Sequence, residues 1–434
     1  AMPPVLSLLF VLAFLACVLG STRPAFCALA VTCLVVLDAL AADFLNSPRL
    51  GSPLPRLTGG LWRYNSVGYL FVFLALVHLP ELLKRRDAPT RLLAAFAAFV
   101  AVGLAWTPDL PFGLQVLLDV LAPLGLIATF ARVAHDDRCW YWMGIVGGTL
   151  AAGCGLVYFV HRAAIPFTNP NTFVFAPLTG VFATSVAMGR AVGTRRQLTL
   201  GGLALTNAFW AFLSTSRGGL LAASLCVVYL IASVRGTRRR LALILCLVLG
   251  AAAVAVAFGD VGQRSIDRVA VLLNANARAR DRTSGRSDLL IGAWEIFQRH
   301  PMGIGTGGFE ATWATVGSVN GQRQFMHVGE RFPVHSGWMK ALTENGVIGF
   351  VLLAAFVVSL ALTSWRRADG ARGLAWLATI AAITLLSTNE FHMKGLFFLP
   401  AAVVAFIDLR PSVSQRSSRR GQFRIVSRAE GDPE

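Results

Sequence analysis

The chain has 434 residues, 55% of them hydrophobic and only 14% charged, with a mean hydropathy of +0.63. A soluble domain carries about 25% charged residues, so a water-soluble globular protein is excluded. The formal charge of +17 is carried almost wholly by arginine, since Lys84, Lys340 and Lys394 are the only lysines. Arginine suits forked recognition of phosphate, although part of the excess follows from the positive-inside bias of cytoplasmic loops.

In chain order, apolar segments fall near 4–20, 25–45, 61–83, 92–107, 110–132, 139–161, 172–189, 198–213, 218–234, 241–258, 335–364, 374–388 and 391–408. Each has the length and composition of a candidate membrane helix. The first lacks a basic n-region and reads as a span rather than a cleaved leader. Residues 4–45 are broken only by Ser21-Thr22-Arg23-Pro24. Read as one span plus a re-entrant piece they bring the count to about 12, the number adopted; read as two spans they bring it to 13. The fold class is therefore an all-α polytopic integral membrane protein. Cys17, Cys27, Cys33, Cys139, Cys154, Cys226 and Cys246 all lie in apolar segments, which argues against a disulfide framework.

Basic short loops recur at every second connection: Lys84-Arg85-Arg86 with Arg91, then Arg132/Arg138, Arg190/Arg195/Arg196, Arg235/Arg238/Arg239/Arg240 and Arg366/Arg367/Arg372. By the positive-inside rule these are cytoplasmic. The alternate loops, 107–111, 162–171, 214–217, 259–334 and 389–394, face outward. The organisation is N-terminal helices over 1–258, a large outward loop at 259–334, C-terminal helices over 335–408 and a basic cytoplasmic tail at 409–434.

The outward loops contain arginines that run against this bias. Arg162 and Arg217 sit at outward span ends, and loop 259–334 holds nine arginines and no lysine, nearly balanced by seven acids. A negative partner at the outer membrane surface would account for them. Within this loop, 262–280 has helical spacing, and a second helix runs through Asp288, Leu289, Ile291, Trp294, Ile296 and Phe297, ended by Pro301. Gly303-Ile304-Gly305-Thr306-Gly307-Gly308 then forms a tight turn that brings the loop back to the membrane.

Four outward constellations carry chemistry. Arg217, in Ser214-Thr215-Ser216-Arg217-Gly218-Gly219, starts a helix whose N-terminus is already partly positive; a docked anion would relieve that conflict. Snorkelling to headgroups is the alternative. Arg286, in Ser284-Gly285-Arg286-Ser287-Asp288, repeats the logic, the alternative being a surface pair with Asp288. His335, in Pro333-Val334-His335-Ser336, stands where the loop re-enters the membrane at a helix start. Positions 335, 338, 339, 342, 346 and 349 share a face at helical spacing. It is either a general base or a histidine bonded to its neighbours. Asn169 and Asn171, in Thr168-Asn169-Pro170-Asn171, either bond sugar hydroxyls or cap a helix.

HExxH, paired CxxC, carboxylate clusters suited to a divalent metal, a lysine-bearing P-loop and GxSxG are all missing from the sequence. Nucleic-acid binding is a poor account of the charge, because the basic loops are short.

Asn169-Pro170-Asn171, Ser216-Arg217-Gly218, Gly285-Arg286-Ser287, Trp294, Pro301, Gly303-Ile304-Gly305-Thr306-Gly307, Val334-His335-Ser336 and Leu342-Thr343-Glu344-Asn345-Gly346-Val347-Ile348-Gly349, taken in order, resemble the O-antigen ligase/polymerase superfamily, and most of all its WaaL-type O-antigen ligases. The resemblance covers about 160–350. It implies a GT-C-class glycosyltransferase of the bacterial inner membrane whose active site faces the periplasm. Such an enzyme moves O-antigen polysaccharide from undecaprenyl diphosphate to lipid A–core oligosaccharide, with inversion, and needs neither metal nor nucleotide cofactor. On this resemblance Arg217 and Arg286, with Arg162 as a third, bind the diphosphate, and His335 is the base. Glu344 and Glu390 orient His335 or the acceptor, or else serve helix packing and interfacial charge. The family often has asparagine after its histidine, where this chain has Ser336. Three alternatives remain: a Wzy-type polymerase, whose acceptor is a second lipid-linked glycan; a protein O-oligosaccharyltransferase, with a serine or threonine acceptor; and, from a different class, an anionic lipid transporter.

Overall fold

The computed structural model describes residues 23–46, 66–164, 173–191, 193–214, 216–233, 286–316, 332–366, 371–391 and 394–407. Asn169, Asn171 and segment 262–280 lie outside these residues. The described residues contain helices and no strand. In chain order the helices are α1 (Pro24–Asn46), α2 (Ser66–Val77), α3 (Leu79–Lys84), α4 (Ala88–Val102), α5 (Leu110–Arg132), α6 (Asp137–Ala164), α7 (Phe175–Arg190), α8 (Thr194–Leu213), α9 (Arg217–Ser233), α10 (Arg286–Arg299), α11 (Phe309–Val316), α12 (Gly337–Arg366), α13 (Ala371–Thr388) and α14 (Phe398–Ile407). Short 3₁₀ turns at Gly103–Trp106 and Lys394–Phe397 follow α4 and precede α14.

Local chemistry sets many of these boundaries. Asp87 caps α4 by accepting from the Thr90 N–H at 2.9 Å, and Asp109 caps α5 by accepting from Phe112 N–H at 3.2 Å. Each satisfies an N–H that the first helical turn leaves unpaired. The apolar stretch 61–83 divides at His78, because Pro80 brings a fixed φ and no N–H and starts a new helix. The stretch 391–408 likewise divides into the 3₁₀ turn and the ten-residue α14.

Ala88–Trp106, Leu110–Arg132, Asp137–Val157 and Gly337–Trp365 are four helices long and apolar enough to cross a membrane; Pro24–Asp38, Gly218–Ala232, Arg372–Thr388 and Gly395–Phe406 are shorter apolar helices. The chain is a membrane protein, and its side chains behave accordingly. On α12 the exposed residues Val347, Val351, Val358, Leu362 and Trp365 make one apolar stripe at helical spacing. Such a patch is a liability in water and ordinary against lipid. Hydroxyls within the helices return to their own backbone, as Thr129 does to the Gly125 carbonyl at 2.8 Å and Thr363 to that of Ser359 at 2.7 Å, leaving no polar group facing hydrocarbon there.

The helices pack as a bundle, with α7 between α6 and α8, α5 against α2 and α14, and α12 against α4 and α13. Its two ends differ in chemistry. At one end Arg85 pairs with Asp87 at 2.8 Å and donates to the Val404 carbonyl at 2.7 Å. At the same end Arg132 meets His78 at 3.2 Å, while Arg190 pairs with Asp137 and lies 4.7 Å from the Phe406 ring centroid. Helices α4 and α5 run from one end to the other: α4 begins beside Arg85, and α5 finishes at Arg132. Their opposite ends, Gly103 and Gly113, meet the glycine-rich turn at 303–308. The arginine-rich turns and the glycine-rich turn therefore occupy opposite ends of the bundle.

Candidate functional site

The large loop carries a small apolar core of its own. Leu289, Ala293 and Ile296 of α10 pack with Phe309 and Trp313 of α11 and with Val334. Trp313 sits so close to Gly292 that any β-carbon there would collide with its ring. Helix α10 starts at Arg286, as the sequence suggested, but its inward face is 289/292/293/296. Ile291 and Trp294, on the same helix, are exposed. The loop core is small and draws on one narrow stripe, so the other apolar side chains remain outside it.

The glycine turn locks this loop onto the bundle. Gly303, Gly305 and Gly307 have φ of 89°, 96° and 76°, conformations that L side chains rarely adopt. Their partner is a break in α12 at Gly346, with φ 63° and ψ −164°. Without the break, the carbonyls of Thr343 and Glu344 would serve α12 itself. Instead they accept from the Ile304 and Gly305 amides, both at 3.0 Å, and the Val347 N–H donates to the Pro301 carbonyl at 3.1 Å. Three backbone groups freed by the break are thus paired again. The helical face expected across 335–349 is corrected at both ends, since His335 precedes α12 with φ 54° and the helix breaks at Gly346. Thr306 completes the lock, with its N–H on the Gly103 carbonyl at 3.2 Å and its hydroxyl 2.7 Å from the Val100 carbonyl and 2.9 Å from Asn345 Oδ1.

Glu344 is fully buried and belongs to this lock. Its carboxylate accepts from the Gly307 N–H at 2.9 Å and the Phe309 N–H at 3.3 Å. Lys340 lies 3.9 Å away on the preceding turn of α12.

His335 stands two residues before α12. Ser336 caps that helix: its carbonyl accepts from Lys340 N–H at 2.9 Å, and its hydroxyl accepts from Met339 N–H at 3.4 Å. His335 is half-buried with φ 54°, the only positive φ on a non-glycine residue among the described residues. That conformation costs an L residue about 1–2 kcal/mol. Its ring meets Phe332 edge-on at 5.5 Å.

Segment 388–390, just after α13, gathers the site. The Thr388 carbonyl accepts from Arg286 Nη1 at 3.1 Å. The Asn389 carbonyl accepts from Gly337 N–H at 2.9 Å. Glu390 accepts from His335 N–H at 3.0 Å through one oxygen and from Lys340 Nζ at 2.6 Å through the other. Gly218, next to Arg217, touches the same segment, because a β-carbon there would collide with the Thr388 side chain. The start of α9, the start of α10 and the approach to α12 therefore converge on three consecutive residues. Arg162 lies near the end of α6. Sequence reasoning named Glu390, within the outward loop 389–394, but missed Lys340, although a lysine inside an apolar span, in a chain with three, was a signal. Among the described residues no three His, Cys, Asp or Glu side chains are grouped so as to hold a metal ion.

Residues 202–354, about a third of the chain, match the family model described as O-antigen ligase. This stretch is of the O-antigen ligase type. Among curated proteins none matches the chain at a significant level. The O-antigen ligase match takes in Arg217, Arg286, the glycine turn, His335 and Lys340, whereas Glu390 lies beyond it. Tertiary structure supplies Glu390 to the rest. At Ser336, where the ligase family often has asparagine, serine is an equally good helix cap, so the start of α12 is preserved.

Proposed function

We propose that the protein is an inverting membrane glycosyltransferase of the GT-C class, with about 12 spans across the whole chain, that completes lipopolysaccharide. It takes O-antigen polysaccharide from undecaprenyl diphosphate and joins it to a hydroxyl of lipid A–core oligosaccharide. One observation carries the reading: within an O-antigen ligase-type stretch, two helices that begin with arginine and the one backbone-strained histidine converge on residues 388–390. The opposite end of the bundle bears the arginine-rich turns. The positive-inside rule makes that end cytoplasmic, so the site faces the periplasm of the inner membrane.

In this reaction the acceptor hydroxyl oxygen attacks the anomeric carbon as the bond from that carbon to the diphosphate oxygen breaks. The electron pair leaves with the diphosphate, and His335 takes the hydroxyl proton. Direct displacement inverts the anomeric centre. Charge grows on the leaving diphosphate, and Arg217 and Arg286, with Arg162 as a third, stabilise it in place of a metal ion. Two helix N-termini add their dipoles to the same anion. Arg286 is anchored on the Thr388 carbonyl through one of its five N–H groups, which fixes the plane of the fork. Asn169 and Asn171 are candidates for contacts with the acceptor sugar.

The deciding experiment gives purified protein the lipid-linked donor together with either lipid A–core or a second lipid-linked repeat. Transfer to lipid A–core is expected. Extension of the lipid-linked repeat alone would make the protein a polymerase, and no transfer to either would remove the reading. Arg217→Lys and Arg286→Lys should each lower kcat by about tenfold or more, because an ammonium replaces a forked donor with a point charge. Wild-type turnover in either lysine variant would show that forked binding is the wrong picture.

A further inference from the structure

We propose that Glu390, braced by Lys340, is a positioning residue that holds the backbone of His335 in the conformation that aims its imidazole. This deepens the reading above and rests on His335 being the base. A histidine at φ 54° does not stay there by its own preference; something must hold it. Two amides flank the position. His335 N–H donates to Glu390 Oε1 at 3.0 Å, and Gly337 N–H donates to the neighbouring Asn389 carbonyl at 2.9 Å. Both acceptors belong to one short segment, so residues 335–337 are bracketed against it. Rotation of φ to the usual negative range would swing the His335 N–H off the carboxylate and carry the ring away from Phe332.

Lys340 makes this bracket rigid. Its ammonium lies 2.6 Å from Glu390 Oε2, 3.9 Å from Glu344 Oε1 and 5.0 Å from the Phe112 ring centroid. Lys340 and Glu390 are 3% and 2% exposed, so the pair is shielded from water. Burial of an ion pair is poor value as packing alone, since apolar side chains often serve as well. Here the carboxylate does something an apolar residue cannot: it presents an acceptor to the amide of the reactive residue. Through Glu344 the same lysine also joins the glycine turn to the bracket.

The test compares two full-length double variants in lipid nanodiscs, Lys340→Met/Glu390→Gln and Lys340→Met/Glu390→Met. Both remove the ion pair together, so neither leaves a buried charge without its partner. They differ in whether residue 390 can accept from the His335 N–H. The glutamine variant should turn over at least about tenfold faster than the methionine variant, with donor KM alike within about twofold. Equal kcat values, or a difference confined to KM, would overturn the inference. Hydrogen exchange provides a readout independent of turnover. The His335 amide should be protected in the wild-type protein and in the glutamine variant and exchange faster in the methionine variant. An unprotected His335 amide in the wild type would sink the bracket even if the variants do not fold. Should the wild type transfer no glycan while exchange behaves as expected, the function is wrong and the bracket stands.

Discussion

His335→Ala is expected to abolish glycan transfer, lowering kcat by about 10²–10⁴-fold, the usual worth of a positioned general base. Donor binding should stay close to that of the wild type, because the diphosphate is assigned to Arg217 and Arg286 rather than to the histidine. Removing the imidazole leaves an acceptor hydroxyl whose proton has nowhere to go as the new bond forms. The ring's environment supports this role. It is half-buried, held edge-on by Phe332 and placed by a backbone that departs from ordinary preference. Strain of this kind persists only where surroundings over-determine it, and it clusters at active sites. The measurement is a pair of assays on one preparation: turnover with lipid A–core, and equilibrium binding of the lipid-linked donor. Normal turnover would remove His335 from the chemistry, and loss of donor binding would move it to the diphosphate.

Gly346→Ala should destabilise the fold by about 3 kcal/mol and take activity with it. With φ 63° and ψ −164° the residue occupies a region essentially reserved for glycine. A β-carbon there would also collide with the backbone of Pro301 and Met302. Neither neighbour can step aside, since Pro301 accepts from Val347 N–H and the turn beyond it is bonded to Thr343 and Glu344. Forcing α12 to run straight would reclaim those two carbonyls and expel the glycine turn, and with it the large loop that carries Arg286. Gly153→Ala is the matched control, because nothing lies within 4 Å of its β-position, which is an exposed position on α6. Alanine there should be neutral or stabilise by about 0.5–1 kcal/mol. Thermal unfolding of both variants in nanodiscs measures the contrast; similar melting of the two would mean that the break in α12 is not what seats the loop.

The residues that meet at 388–390 show what a linear reading can reach. Helix starts at Arg217 and Arg286 were legible, because an arginine beside glycine and serine before an apolar run is a local pattern. The importance of Gly346 was not, since a glycine inside an apolar stretch looks the same whether it breaks a helix or rides within one. The helix through Ile291 and Trp294 was legible, but not that both stay exposed, because the loop's core is too small to bury a whole apolar face.

The linear sequence alone determined that this chain lives in a membrane, that basic short loops recur at every second connection, and that the loops between them carry arginine as well. These are properties of short windows, set by the length of an apolar run and the sign of the charges beside it. Only the tertiary structure decided which residues meet. His335 and Glu390 are separated by 55 positions, Arg286 and Thr388 by 102, and Val100 and Thr306 by 206. A hydrogen bond between such distant positions leaves no periodicity in either segment. It exists because packing the helices brings a donor and an acceptor from distant segments together.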